Sequence, residues 1–216
     1  APDYVATPSA EKVIAALRYA QLAGDIAVVY GGAGLGKSTG IRQHALQAPN
    51  VWHATMTPAS ASVVTCMEEI AEAVGAGGTV GGAAKLHRII CRRVANSGGL
   101  IVVDEAQHLS VAALDQIRSI HDATGIGIAL VGNEAVYARM TGGNRAAFLD
   151  RLFSRIGKRV RLTRASQADV NLLLEAWGVT EKACRGQLLE IASKPGALRQ
   201  LTDVRRLAWL YCAARG

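Results

Sequence analysis

Apolar positions follow two rhythms along this chain. Three runs have almost no polar interruption: Ile26 to Tyr30, Leu100 to Val103 and Ile126 to Val131. They are rich in β-branched residues, too short for a core helix, and closed by glycine or an acid, so they predict buried strands. Val51 to Thr55 and Lys158 to Leu162 predict two more. Between them, apolar residues recur every three or four positions. A helix starts at Thr7-Pro8-Ser9, carries Val13, Ile14, Leu17 and Leu22, and stops at Gly24. Further helices are expected after Gly36 and over 61–74, 83–95, 111–123, 134–140 and 146–155, with a flexible glycine-rich loop over 75–82. Alternating strands and helices predict an α/β fold with a parallel sheet sandwiched by helices. In such sheets ligands bind at the carboxyl ends of the strands.

After Thr163 the strands stop. Ser166-x-x-Asp169 reads as a capping box, Gly178 as a helix stop, and 180–192 and 197–214 as two more helices. The expected division is an α/β nucleotide-binding domain over 1–164 and a small helical lid over 165–216.

Composition narrows the class. With 216 residues the chain can bury a full core, and no stretch reaches the ~18–20 apolar residues of a membrane span. Cys66, Cys91, Cys184 and Cys212 have neither zinc-ligand spacing nor a disulfide framework, which fits a reducing cytoplasm. The first residue is not Met and no signal-peptide pattern follows, as expected of a trimmed fragment. The net charge of +7 is unevenly distributed. No acid occurs from Ala73 to Val103, where Lys85, Arg88, Arg92 and Arg93 lie. None occurs from Arg151 to Ala168, which holds Arg151, Arg155, Lys158, Arg159, Arg161 and Arg164. Such blocks suit a polyanionic partner or solvated helix faces.

Chemistry enters directly after the first strand. Gly31-Gly32-Ala33-Gly34-Leu35-Gly36-Lys37-Ser38-Thr39 satisfies G-x-x-x-x-G-K-[ST] between a strand and a helix. Phosphates need closely spaced N–H donors that side chains would obstruct, hence Gly32, Gly34 and Gly36. Lys37 reaches the β- and γ-phosphates of ATP and Ser38 places its hydroxyl on Mg2+. Asp104 ends an apolar strand, where its carboxylate can hold the magnesium ion through water. Glu105 beside it can polarise a water for attack on the γ-phosphate. Gln107 and His108 read as ordinary residues before the next helix.

Together with Leu100-Ile-Val-Val-Asp-Glu105, Asn133 after the fourth strand and Gly196-Ala-Leu-Arg199 in the lid, these residues resemble AAA+ ATPases of the initiator and helicase-loader type. Asp104-Glu-Ala-Gln-His-Leu-Ser110, Ile117-Arg-Ser-Ile-His-Asp122 and Gly127-Ile-Ala-Leu-Val-Gly132 are similar to the phage Mu B transposition protein family, and the likeness spans almost the whole chain. The resemblance implies an AAA+ fold and further roles. Asn133 would orient the lytic water, or cap a helix. Arg155, in preference to Arg151, would be an arginine finger for the neighbouring subunit's ATP. Arg199 would touch the γ-phosphate from its own subunit, and the segment Tyr4 to Thr7, including Val5, would border the adenine. Loop residues Thr57, Ser60 and Ser62 would line a central DNA channel. The family also implies an additional N-terminal DNA-binding domain that these residues do not supply.

For DNA, Lys85, Arg88 and Arg92 fall on one side of their predicted helix and Leu86, Ile89, Ile90 and Val94 on the other, with Arg93 inside the apolar stripe. The expected function is an ATP-hydrolysing protein that assembles head to tail, as a filament on double-stranded DNA, and delivers target DNA to a transposase. It would work in a bacterial host's cytoplasm if phage-encoded, without a membrane partner. A helicase loader, a secretion-associated ATPase and a monomeric P-loop kinase are the competing classes.

Overall fold

The computed structural model describes residues 2, 4–141, 152–194 and 196–214. The apolar runs become one parallel sheet of five strands, β1 (Ile26–Gly31), β2 (Val51–Thr55), β3 (Leu100–Asp104), β4 (Gly127–Gly132) and β5 (Ile156–Leu162). Their spatial order is β2-β3-β4-β1-β5. β1, β3 and β4 are buried along their whole length, as continuous apolar runs require when both faces are covered. The ladder takes in Gly31, Asp104 and Gly132, residues beyond the apolar runs, because pairing depends on backbone groups rather than on hydrophobicity. β5 begins at Ile156, two residues earlier than expected, where the Arg155 carbonyl accepts a hydrogen bond from Ile26 N–H at 3.4 Å.

Helices cover both faces. α1 (Pro8–Ala23) and α2 (Lys37–Gln47) lie on one, where Val13, Leu17 and Ile41 pack against Ala27, Val29, Val102 and Val131. α3 (Val63–Ala73), α4 (Ala83–Val94), α5 (Val111–Thr124) and α6 (Glu134–Thr141) follow in the chain. Met67, Ile70, Leu86, Ile90, Leu114 and Ile117 pack with Val136 against Val28, Ile101 and Leu130. The helix expected over 61–74 is α3, which starts at Val63 after a separate 3-10 turn, Pro58–Ala61. Ser62 separates them, because its hydroxyl accepts from Thr65 N–H and so starts a new helix. The helix expected over 146–155 lies mostly outside the described residues.

Beyond β5 the chain is helical, with α7 (Gln167–Ala176), α8 (Lys182–Ala192) and α9 (Ala197–Ala213). Ser166 and Asp169 form the capping box read from the sequence. Val170, Leu174, Ala192, Leu198 and Leu201 make a small separate core. From Thr202 to Ala214 α9 is exposed throughout, including Trp209 at 68% and Tyr211 at 68%.

Candidate active site

Parallel pairing brings the chemistry to one edge. Thr55 is in register with Asp104, Tyr30 with Gly132, and Gly31 with Leu162. The carboxyl ends of β1, β3 and β4 therefore deliver the glycine loop, Asp104-Glu105 and Asn133 together. The loop then turns into α2, whose N-terminal N–H groups and macrodipole favour an anion. Lys37 Nζ donates to the carbonyls of Gly31 at 2.8 Å and Gly32 at 2.7 Å, which holds the ammonium across the mouth of its own loop. Burial pushes the Lys37 pKa below its ordinary value, although the carboxylates of Asp104 and Glu105 oppose that shift.

At Gly34 the backbone adopts φ +73°, and a Cβ there would run into the Gly196 carbonyl. Only glycine lets the lid come this close: Leu198 N–H donates to the Gly34 carbonyl at 3.1 Å. The lid thus sits directly on the phosphate loop. Between them lies a cleft of about 420 Å3 lined by Ala33 to Thr39, Glu105 and Arg199, with Val5 on its wall. Tyr4, one residue before Val5, donates its hydroxyl to Glu11 at 2.7 Å and fixes this N-terminal segment on α1; burial and that carboxylate push the phenol up to about 12.

Asp104 and Glu105 are neighbours with opposite environments. Asp104 is 6% exposed; its carboxylate accepts from Glu105 N–H at 2.9 Å and faces His53 Nε2 at 3.6 Å. Glu105 is exposed and has φ +54°, a left-handed conformation uncommon for a residue with a side chain. Asn133 Oδ1 accepts from Ala135 N–H at 2.8 Å and caps α6.

Several residues are missing from the sequence reading or placed differently by the structure. Gln107 is not an ordinary residue before a helix: it bridges Glu105 and the Asn133 backbone. The lid contributes more than Arg199 to the cleft. Leu173, Trp177 and Arg205 also line it, and the Arg205 guanidinium lies over the Trp177 ring, 5.1 Å from its centroid. No local pattern signals this meeting of two helices. Ser60 is buried, with its hydroxyl on Glu69 at 3.2 Å, and the Ser62 hydroxyl caps α3. Thr57 is exposed, and its hydroxyl lies 3.2 Å from Ser60 Oγ. Lys85, Arg88 and Arg92 are exposed on α4 opposite buried Leu86, Ile90 and Val94. Among the described residues Arg93 pairs with no acid; its Nε donates to the Val74 carbonyl at 3.0 Å at the end of α3.

Arg155 is not brought to the cleft. It stands at the amino edge of the sheet, with Nε 3.2 Å from Asp122 Oδ1, and β5 separates it from the phosphate edge by roughly 20 Å. Arg151 lies outside the described residues. Among the described residues no group of three or more His, Cys, Asp or Glu could hold a metal ion. The donors that suit magnesium here are a hydroxyl and one carboxylate beside nucleotide phosphates, the set such a cation takes.

A phosphate loop capped by a helical lid, on a parallel sheet of this order, defines an ATPase of the AAA+ class. A family model described as an AAA domain matches residues 21–140. A second, described as Mu B transposition protein, C terminal, matches residues 154–216. The chain is 38% identical over 215 residues to ATP-dependent target DNA activator B of Escherichia phage Mu, covering 100% of this chain and 69% of that protein. It is 35% identical over 205 residues to the Mu-like prophage FluMu DNA transposition protein B of Haemophilus influenzae, covering 94% and 71%. The chain belongs to the Mu B transposition protein family. Among solved structures, Cdc6p from Pyrobaculum aerophilum shares the fold with a TM-score of 0.67 at 14% identity over 95% of this chain. The replication initiator DnaA bound to AMPPCP and single-stranded DNA does so with 0.63 at 15% over 96%. The chain spans 63% of each of those two structures. Among the described residues no helix is long and apolar enough to cross a membrane.

Proposed function

We propose that this ATPase binds double-stranded DNA in its ATP-bound state, assembles on it head to tail, and presents that DNA to a transposase. The observation that carries the reading is the division of the site. Lys37, Ser38, Glu105 and Arg199 line one cleft from one chain, with Asp104 and Asn133 at the same edge of the sheet. Arg155 stands at the opposite edge of the sheet, out of reach of its own cleft, which supports a role toward a neighbour's cleft. A phosphoryl-transfer site is stabilised by an arginine aimed at the γ-phosphate, which can come from a second subunit. Such a heterologous contact repeats, closing into a ring or continuing as a filament.

Within the cleft, Lys37 and the loop N–H groups would hold the β- and γ-phosphates, and Ser38 with Asp104 would hold Mg2+, which neutralises developing phosphate charge when bound. Glu105 would take the proton of the attacking water and Asn133 would orient that water. Val5 would border the adenine. Lys85, Arg88, Arg92 and Thr57 would contact DNA phosphates, giving strong salt dependence and little sequence preference. The relatives' printed name, ATP-dependent target DNA activator B, supports the DNA and transposition parts of this reading.

Lys37→Ala tests the coupling. The expected result is loss of ATP hydrolysis by at least ~100-fold, together with loss of DNA binding in the presence of ATP and of the large light-scattering species. DNA binding equal to wild type in that variant overturns the coupling.

A further inference from the structure

Gln107 ties the side chain of Glu105, at the end of β3, to the backbone at the β4–α6 corner. Asn133 N–H donates to Gln107 Oε1 at 3.2 Å, and Gln107 Nε2 donates to Glu105 Oε2. The backbone N–H can meet only the oxygen of the amide, so the NH2 half must face the carboxylate. A second, independent feature is built around the same side chain. Gly132, the last residue of β4, lies so close that a Cβ would collide with Gln107 Oε1 and with Val136 Cγ2. The end of β4 is thus hollowed where the amide passes. Glu105 itself leaves β3 in a left-handed conformation, which turns its side chain out of the strand toward the cleft it lines.

We propose that Gln107 is a positioning residue for ATP hydrolysis: its amide pins one oxygen of Glu105 to the β4–α6 corner and leaves the other oxygen to accept the proton of the attacking water. The proposal rests on the reading of Glu105 as the group that activates that water. An unpinned carboxylate at an exposed position samples several rotamers, and misplacement of a reacting group by about 1 Å costs up to ~100-fold in rate.

Two substitutions separate positioning from a structural role. Gln107→Glu keeps an oxygen for the Asn133 N–H but replaces the donor facing Glu105 with a second carboxylate, while Gln107→Ala removes both contacts without adding charge. In both, kcat for ATP hydrolysis is expected to fall roughly 10- to 100-fold, with KM, ATP affinity and melting temperature close to wild type. Gln107→Glu with wild-type kcat, or a loss confined to KM in either variant, overturns the proposal. Glu105→Gln is measured alongside. If it hydrolyses ATP normally, the reading of Glu105 fails; if it is inactive while Gln107→Glu is normal, only the role of Gln107 fails.

Discussion

The sheet body and the lid bury themselves on different scales. In the body, β1, β3 and β4 are covered along both faces by helices, and the apolar contacts run continuously from Val13 on one side to Leu114 on the other. In the lid, the buried cluster is Val170, Leu174, Ala192, Leu198 and Leu201, and the second half of α9 is exposed. What attaches the lid is directional rather than extensive. Leu198 N–H meets the Gly34 carbonyl, and buried Asp169 accepts from Ser9 N–H at 2.7 Å, Ser9 Oγ at 2.8 Å, Ser166 N–H at 2.7 Å and Ser166 Oγ at 2.7 Å. A region with little apolar burial and a few specific tethers opens at lower free energy than the body unfolds. Its tethers hold α1 and the phosphate loop, both part of the cleft. Lid position and nucleotide occupancy are therefore expected to be linked.

That contrast is open to direct test. Leu130 and Leu174 are both fully buried leucines, so Leu→Ala at each removes the same group from the two regions. Leu130→Ala is expected to lower global stability by roughly 3–5 kcal/mol, measured by denaturant unfolding. Leu174→Ala should instead accelerate amide exchange in α7 to α9 while the strands keep their protection. Equal loss of protection in the strands would mean that body and lid unfold as one unit.

Asp169→Ala strands four donors and should cost roughly 2–3 kcal/mol of lid attachment, seen as faster exchange in α7 and weaker ATP binding. The same tether gives a pH dependence. Burial raises the Asp169 pKa, but the hydrogen bonds from Ser9 and Ser166 outweigh it and hold the pKa below the ordinary value. A depressed folded-state pKa contributes stability above the ordinary carboxylate range and loses it as pH falls through the folded value. Lid protection should therefore decay in acid, and Asp169→Asn should remove that decay. A decay unchanged in Asp169→Asn would assign it to other carboxylates.

Gly34→Ala acts on the second attachment. A non-glycine residue at φ +73° costs roughly 1–2 kcal/mol, and the methyl displaces Gly196. ATP affinity should fall roughly 5- to 30-fold with the body's melting temperature retained; unchanged affinity would show that the Leu198–Gly34 contact does not shape the cleft. The smallest effect is expected at Trp209, exposed on α9. Trp209→Ser should change stability by less than ~0.5 kcal/mol, and a larger loss would show that the helix is covered in solution.

Much of this architecture is legible along the chain, because strands, helix stripes and the phosphate loop are written in residues close in sequence. Ile26 to Tyr30 followed by glycines, Leu100 to Val103 followed by two acids, and Ser166 three residues before Asp169 each report local geometry through period, β-branching and capping. What local pattern could not supply is which distant groups meet. Gln107 pairs with Asn133 across 26 residues and Ser9 with Asp169 across 160. Ser60 is removed from solvent by a turn stacked on α3, and Arg205 is carried to Trp177 by the packing of two helices. These are decided by strand order and by the angle of the lid on the body. The sequence alone thus determined the sheet, the nucleotide loop and the family. Only tertiary packing decided how Glu105 is held, which hydroxyls stay exposed, and that Arg155 faces away from its own nucleotide cleft.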